Sequence, residues 1–218
     1  MQSVLIIGLG RFGRHLCRKL MELKCEVLVV DSNDAAVAAL ADEVTDAQVA
    51  DCTDEAALRA LGVPGFDLCC VCIGSDFASC LLITSMLKEL GAKRIIAKAS
   101  QDVHARLLLR NGADQVAYPE RDSAERWAVR LSTKSVFDYF ELTDGYAIYE
   151  IPAPESWTGR TIRELDVRNS HRLNILAVKR DGALRPMPGA DYRFTGQEHV
   201  LALASQEDAH RLLRRIGS

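Results

Sequence analysis

The strongest constraint on the fold lies in the first 31 residues of the chain. An apolar stretch at residues 4–7 leads into Gly8-Leu9-Gly10-Arg11-Phe12-Gly13, and a second apolar stretch at residues 26–30 ends at Asp31. A buried strand, a glycine turn, a helix and a second strand that ends in an acid are typical of a dinucleotide-binding βαβ unit. The sequence therefore predicts an adenine nucleotide site close to the N-terminal end.

Each residue type of this motif has a physical role. Gly8 permits a tight turn, Gly10 lets the backbone approach a diphosphate, and Gly13 lets the following helix pack close to the sheet. That helix, expected over residues 11–23, points its free N–H groups at the phosphates. Asp31 can accept hydrogen bonds from ribose hydroxyls and would repel a 2′-phosphate, which disfavours NADP. The motif does not distinguish NAD from ATP, ADP or AMP.

Length and composition narrow the class of protein. The 218 residues allow one large domain, or one of about 140 residues with a smaller one. A net charge of −3 argues against a nucleic-acid partner. The longest apolar stretches have the length of strands, so we expect no direct membrane insertion. We expect no signal peptide and a cytoplasmic location, in which the seven cysteines stay reduced.

Strand-like and helix-like segments alternate over the first 132 residues. This alternation predicts an α/β, Rossmann-like doubly wound parallel sheet with a ligand crevice at the carboxyl ends of its strands. Thr53, Ser75 and Asp102 are expected helix N-caps, and Gly91 and Gly112 are expected to end helices. The expected strands cover residues 4–7, 26–30, 47–50, 68–73, 94–97 and 115–118, and the expected helices cover 11–23, 33–41, 54–61, 76–90, 103–111 and 121–131.

The pattern changes after residue 132. Residues 133–144 are expected to form a linking arm, whose aromatic segment 136–142 is either an ordinary core element or a packing arm between subunits. Residues 145–218 are expected to form a second, smaller α+β lobe. Thr161 and Glu164 have the spacing of a capping box, and Asp181-Gly182 predicts a hairpin turn.

Motifs of common catalytic sites are absent from the sequence. No tyrosine has a lysine four positions later, no GxSxG, HExxH or P-loop motif occurs, and the five histidines are scattered. We therefore predict a nucleotide-sensing module that is not an enzyme. Two alternatives stay open: an NAD-dependent oxidoreductase with a small substrate domain, and a free-standing NAD(H) sensor.

Several spaced motifs, taken in order, resemble the RCK (regulator of potassium conductance) family, specifically the gating subunits of Trk/Ktr potassium uptake systems. The resemblance covers nearly the whole chain and is more specific in the first 132 residues. It rests on Gly8-Leu9-Gly10-Arg11-Phe12-Gly13, Val30-Asp31, Ala50-Asp51-Cys52-Thr53, Ile73-Gly74, Ala97-Lys98-Ala99, Asn111-Gly112-Ala113-Asp114 and Tyr118-Pro119-Glu120-Arg121-Asp122.

The resemblance implies a role for individual residues. Asp31 would hold the ribose, Asp51, Cys52, Ile73 and Gly74 would line the adenine and ribose wall, and Arg11 would reach the terminal phosphates. Lys98 and His104 are weaker candidates. Glu120 would lie near the phosphates of a nucleotide in an adjacent subunit, where a divalent cation or Na⁺ could bridge it. The expected contact set also includes Leu9, Phe12, Ser32 and Ser75 along with the three glycines of the turn.

The resemblance also implies ligands and partners. The expected cofactor is ATP or ADP, with NAD(H) as the alternative. Cyclic di-AMP could bind the second lobe at Arg168, Asn174, Ile175 and Leu176, although ordinary strand packing in the core of that lobe is the preferred explanation of these residues. The expected partner is a membrane-embedded Trk/Ktr-type potassium channel subunit. A homodimer would assemble into a homo-octameric ring on the cytoplasmic face of the membrane, and ATP and ADP would alter the shape of that ring.

Overall fold

The computed structural model of the chain describes residues 1–132, 136, 138–143 and 145–216. The chain divides into two compact units, Met1–Arg121 and Asp122–Ser218. Residue 132, the expected end of the first domain, is the last residue of the helix Pro119–Ser132, which spans the division between the two units.

The first unit is a parallel sheet of six strands in the order β3-β2-β1-β4-β5-β6. This is the doubly wound arrangement that the alternation of strands and helices predicts, and that prediction is confirmed. Strand order reverses between β1 and β4, which both pair with parallel neighbours. The strands are β1 (Ser3–Ile7), β2 (Glu26–Asp31), β3 (Asp46–Val49), β4 (Leu68–Val71), β5 (Ile95–Lys98) and β6 (Gln115–Ala117).

Helices cover both faces of this sheet, so the first unit has an apolar core on each side. Strand β4 is buried throughout, as expected for a parallel strand covered on both faces. Cys69 packs into one core and Cys72 into the other, so the two side chains lie on opposite faces of the sheet, and all seven cysteines are free thiols. The helices are α1 (Arg11–Glu22), α2 (Asp34–Ala38), α3 (Glu55–Ala60), α4 (Phe77–Glu89), α5 (Asp102–Arg110) and α6 (Pro119–Ser132).

The ends of these helices confirm some expectations and correct others. Gly91 and Gly112 follow α4 and α5 with φ of +81° and +113°, as glycines that end helices do. The three expected N-caps were each wrong by one residue. Asp54 caps α3 and Asp76 caps α4, since their side chains accept hydrogen bonds from the backbone N–H of Ala56 and Ser79. Gln101 precedes α5, so Asp102 is its first residue.

The second unit is an antiparallel sheet of five strands in the order β10-β9-β11-β8-β7. Its strands are β7 (Asp138–Thr143), β8 (Tyr146–Pro152), β9 (Asn174–Arg180), β10 (Ala183–Pro186) and β11 (His199–Ser205), and its helices are α7 (Ile162–Leu165), α8 (Val167–His171) and α9 (Gln206–Ile216). Strand β7 lies inside the expected linking arm. Residues 133–135, 137 and 144 of that arm lie outside the described residues.

Two local predictions for the second unit are confirmed. Asp181 and Gly182 join β9 to β10 with φ of +50° and +80°, the positive pair that a two-residue hairpin turn requires. Thr161 and Glu164 form a complete capping box at the start of α7. Both motifs depend on residues close in sequence, which is why the sequence reveals them.

A buried carboxylate holds the loop before β11. Glu198 is 1% exposed and accepts hydrogen bonds from the backbone N–H groups of Thr195, Gly196 and Gln197 and from the hydroxyls of Thr195 and Tyr192. Burial raises the pKa of Glu198, but the hydrogen bonds from Thr195 and its neighbours outweigh this and hold the pKa below its ordinary value. Glu198 is therefore a charged, internally satisfied anchor.

None of the helices among residues 1–132 and 145–216 combines the length and apolar character required to cross a lipid bilayer.

Candidate nucleotide-binding site

A cavity of about 300 Å³ lies at the carboxyl ends of β1, β2, β3 and β4. It sits where the strand order reverses, the position at which open α/β sheets bind their ligands. Nine residues of the expected contact set line it, namely Gly8, Gly10, Asp31, Ser32, Asp51, Cys52, Ile73, Gly74 and Ser75. Seven further lining residues were not predicted, namely Ile7, Ala50, Thr53, Cys72, Asp76, Ser79 and Ile83.

Asp31 ties the glycine turn to the start of α2. One carboxylate oxygen accepts the backbone N–H of Leu9 at 2.6 Å, and the other accepts the backbone N–H of Asn33 at 2.8 Å. Each carboxylate oxygen can accept two hydrogen bonds, so both keep an acceptor position. The side chain is half-buried and borders the cavity. This arrangement suits two adjacent hydroxyl donors such as those of a ribose.

The glycines of the turn are required for different reasons. Gly8 has φ of +96°, and a Cβ atom there would lie 2.9 Å from the Ile73 side chain. A Cβ atom on Gly13 would lie 2.1 Å from the Gly8 carbonyl oxygen, so α1 packs directly against the turn. Gly10 has open space around its missing Cβ and precedes α1 without a side chain to cap it. The helix N–H groups therefore stay available to an anion.

Three carboxylates make the wall of the cavity negative. The Thr53 hydroxyl donates to Asp51 at 2.7 Å, and the Ser79 hydroxyl donates to Asp76 at 2.6 Å. These hydrogen bonds hold the pKa of both acids below its ordinary value, so both are charged at neutral pH. With Asp31, they favour ligand groups that donate hydrogen bonds and disfavour phosphate. This wall therefore suits the nucleoside part of a ligand.

The buried thiol of Cys52 is an uncharged part of the same wall. Burial is the main cause that raises its pKa to about 12, and the charges of Asp51 and Asp31 add to the effect. The residue is 4% exposed, so it contributes packing rather than reactivity.

A second group of expected residues lies close to the N-termini of α1 and α6. Lys98, the last residue of β5, donates to the Glu120 carboxylate at 2.7 Å. The Lys98 ammonium also lies 6.0 Å from the centre of the Phe12 ring. The hydrogen bond from Lys98 is the main cause that lowers the pKa of Glu120, and the Arg11 charge contributes less. Arg11, Phe12, Lys98 and Glu120 thus form one cluster, which we call the basic end.

The remaining expected residues occupy other positions. The Leu9 side chain packs into the core between the sheet and α1, so Leu9 can offer a ligand only its backbone. His104 stacks on the Phe77 ring at 3.8 Å and pairs with the Ser100 hydroxyl at 3.3 Å. The structure does not bring His104 into the cavity. As for the expected metal role of Glu120, no cluster of three or more His, Cys, Asp or Glu side chains is placed to hold a metal within the described parts of the chain.

The unpredicted polar residues share a signal. Thr53 and Asp76 lie in the loops that follow β3 and β4, and Ser79 lies in the first turn of α4. The hydroxyls of Thr53 and Ser79 donate to the carboxylates of the wall. Polar residues just after parallel strands converge on one edge of the sheet, so this position could have identified them.

The second unit has a cavity of its own, of about 330 Å³. Arg168, Asn174 and Ile175 line it, and Arg168 donates to the Asn174 side chain at 3.2 Å. Leu176, the fourth residue expected there, is not among the lining residues that the structure describes.

Fold and site together define a Rossmann-type nucleotide-binding domain joined to a smaller α+β domain. Residues 4–119 match the family of the TrkA-N domain, and residues 146–217 match that of the TrkA-C domain. The chain therefore belongs to the family of RCK-type Trk and Ktr potassium uptake proteins, which confirms the resemblance found in the sequence.

Two curated relatives span almost the whole chain. Ktr system potassium uptake protein C of Bacillus subtilis (strain 168) is 36% identical over 211 residues, which cover 97% of this chain and 96% of that protein. Ktr system potassium uptake protein A of the same strain is 34% identical over 206 residues, covering 94% and 93%. Among solved structures, the GsuK channel has a TM-score of 0.70 at 23% identity and covers 100% of this chain and 40% of its own, a likeness of fold.

Proposed function

We propose that the first unit binds an adenine nucleotide, ATP or ADP, and that the chain is a non-catalytic gating subunit of a potassium uptake system. The main support for a nucleotide ligand is the half-buried Asp31 carboxylate, which is fixed by the glycine turn and keeps acceptor positions beside the cavity. The main support for a role in potassium uptake is the 36% identity to a Ktr potassium uptake protein over 97% of the chain.

The charges of the site support a nucleotide with several phosphates. The acidic wall suits the nucleoside, whereas the glycine turn, the start of α1 and the basic end suit phosphate. ATP and ADP differ by one phosphate, so their difference would be read at Arg11, Lys98 and Glu120. A divalent cation or Na⁺ could accompany ATP at Glu120, whose Oε1 atom accepts a hydrogen bond from the Lys98 ammonium. NAD(H) is the alternative ligand because it has the same adenosine and diphosphate parts.

The regulatory step needs no chemical reaction. A ligand shifts a conformational equilibrium only by its differential affinity for the two states. We propose that copies of the chain form dimers and an eight-membered ring on the cytoplasmic face of a membrane-embedded channel subunit, and that ATP and ADP favour different ring shapes.

A thermal-shift comparison of ATP, ADP, AMP, NAD and NADH tests the ligand. A ligand that binds only the folded state stabilises it by about 2.7 kcal/mol at 100 times its Kd. We expect ATP and ADP to give the largest shifts. A large shift with NADH and none with ATP would assign the site to NAD(H), and turnover of NAD with a co-substrate would contradict the non-catalytic role. Native mass spectrometry with retained nucleotide would report the ring.

The cavity of the second unit favours a second candidate ligand, cyclic di-AMP. Arg168 and Asn174 present a cation and an amide beside the apolar Ile175 in a space of about 330 Å³. We expect cyclic di-AMP to stabilise the protein and Arg168→Ala to remove that effect without changing the response to ADP. An unchanged response in Arg168→Ala would leave these residues with a packing role alone.

A further inference from the structure

The salt bridge between Lys98 and Glu120 closes the basic end of the site. We propose that Glu120 is an internal competitor for the phosphates of the ligand: its carboxylate holds the Lys98 ammonium when no phosphate is bound, and a terminal phosphate of the nucleotide displaces it. This inference rests on the proposed binding of a nucleotide and adds a specificity role to the pair.

The two partners are held very differently. The Lys98 side chain is 13% exposed, whereas the Glu120 side chain is 63% exposed, and the two meet at 2.7 Å. The lysine is therefore fixed by its surroundings, and the glutamate reaches it from the solvent side. Of the two, Glu120 is the partner that can move away at low cost.

The Lys98 ammonium lies directly against the wall of the cavity. Gly74 lines the cavity, and a Cβ atom built on it would lie 3.0 Å from the Lys98 nitrogen. The Phe12 ring, on the first turn of α1, lies 6.0 Å away. The ammonium is thus close both to a residue of the cavity wall and to the start of α1, where phosphates are expected.

The chemistry of the exchange favours phosphates over a carboxylate. An ammonium has three donors, and a terminal phosphate offers more charge and more acceptors than one carboxylate. Arg11 is close enough to lower the pKa of Glu120, so the same phosphate would gain a second cation. After displacement, Glu120 stays at the first turn of α6, where the helix dipole favours an acid. A ligand without a phosphate that reaches Lys98 gains nothing from the exchange.

A double-mutant cycle on the full chain tests the competition. Binding of adenosine, AMP, ADP and ATP is measured by calorimetry in EDTA, so that no divalent cation contributes. We expect Glu120→Gln to tighten ADP and ATP by about threefold and to leave adenosine unchanged. We expect Lys98→Met to weaken ADP and ATP by about tenfold, and to abolish the gain from Glu120→Gln when the two are combined.

Matched controls separate charge from site. Lys93 pairs with Asp67 at 3.1 Å. These residues precede β5 and β4, at the amino ends of the strands and away from the cavity at the carboxyl ends, so Lys93→Met removes a lysine that does not line the cavity. Glu55 lies in the first turn of α3 and pairs with Arg59 in the last turn, so Glu55→Gln removes a comparable exposed acid. Neither control should change the affinity for ADP.

The results that overturn the competition are distinct from those that overturn the proposed function. Weaker or unchanged ADP binding by Glu120→Gln, or an equal gain in the Lys98→Met background, would reject it while wild-type binding of ADP still stood. Should Lys98→Met fail to fold, the exposed Glu120→Gln variant alone decides. Wild-type protein that binds no adenine compound would reject the nucleotide site itself.

Discussion

Both units contain a carboxylate that accepts hydrogen bonds from backbone N–H groups, but the two carboxylates have different roles. In the first unit, Asp31 accepts two N–H groups and remains half-buried beside a cavity. In the second unit, Glu198 accepts five donor groups and is 1% exposed. A carboxylate that keeps some acceptor positions can bind a ligand, whereas a carboxylate whose acceptor positions are all filled by the protein stabilises the fold.

The sheets explain this difference. Parallel strands covered on both faces, such as β4, are apolar, so the polar residues of the cavity follow the strands at their carboxyl ends. In the antiparallel sheet, β8 and β11 alternate between buried and half-buried residues, which distributes polar side chains over one face. The first arrangement concentrates binding chemistry at one edge, and the second spreads it.

The largest effect is expected from crowding the glycine turn. Gly13→Ala should destabilise the first unit by about 3 kcal/mol or more, because its Cβ atom would lie 2.1 Å from the Gly8 carbonyl oxygen. Gly10→Ala is the matched control, since nothing lies within 4 Å of its Cβ position. It should fold normally and yet weaken ADP. Denaturant unfolding measures both, and equal stability of the two variants would contradict the packing of α1 on the turn.

The second largest effect is expected on the stability of the second unit when the buried Glu198 carboxylate is removed. Glu198→Gln should cost about 2 kcal/mol, because it removes a charged acceptor from buried donors, and it should leave ADP affinity unchanged. Since the pKa of Glu198 is lowered in the fold, its contribution is present above its ordinary value of 4.5 and is lost as pH falls through the lower folded value. Unfolding measured against pH in this acidic range should show a shallower loss in the variant than in wild type.

Removal of the Asp31 carboxylate should affect ligand binding more than folding. Asp31→Ala should weaken every adenosine ligand by about tenfold, since the ribose loses its acceptors. Asp34→Ala, an exposed acid three residues later at the start of α2, is the control. Calorimetry with adenosine and ADP measures the change, and a loss confined to ADP would show that Asp31 does not contact the ribose.

The smallest effect is expected at the exposed Arg11. Arg11→Ala should reduce the preference between ATP and ADP by about fivefold and leave adenosine unchanged. The control is Arg18→Ala on the same helix, whose side chain pairs with Glu43. An intact preference in Arg11→Ala would remove Arg11 from phosphate sensing.

The sequence predicts the parts of this molecule that depend on neighbours along the chain. The glycine turn, the strand that ends at Asp31, the capping box and the hairpin all combine residues within a short segment. His104 escapes such reasoning because its place is fixed by stacking on Phe77, a residue of a different helix. The anchoring role of Glu198 also escapes it, because burial of that carboxylate results from packing of the whole second unit.

The off-by-one N-caps have a similarly specific cause. Thr53 and Ser75 have hydroxyls that suit a cap, but the Thr53 hydroxyl donates to Asp51, and the following acids, Asp54 and Asp76, accept the helix N–H groups. A Ser or Thr directly before an Asp gives two candidates for one position. Only the geometry of the turn chooses between them.

Hydrogen exchange of the full chain with and without saturating ADP tests most directly whether Asp31 of the first unit lies in a ligand site. We expect slower exchange at residues 7–13, 31–33, 51–53 and 73–76 and no change in β8 and β11 of the second unit. Protection confined to the second unit, or no protection with any adenine nucleotide, would contradict it.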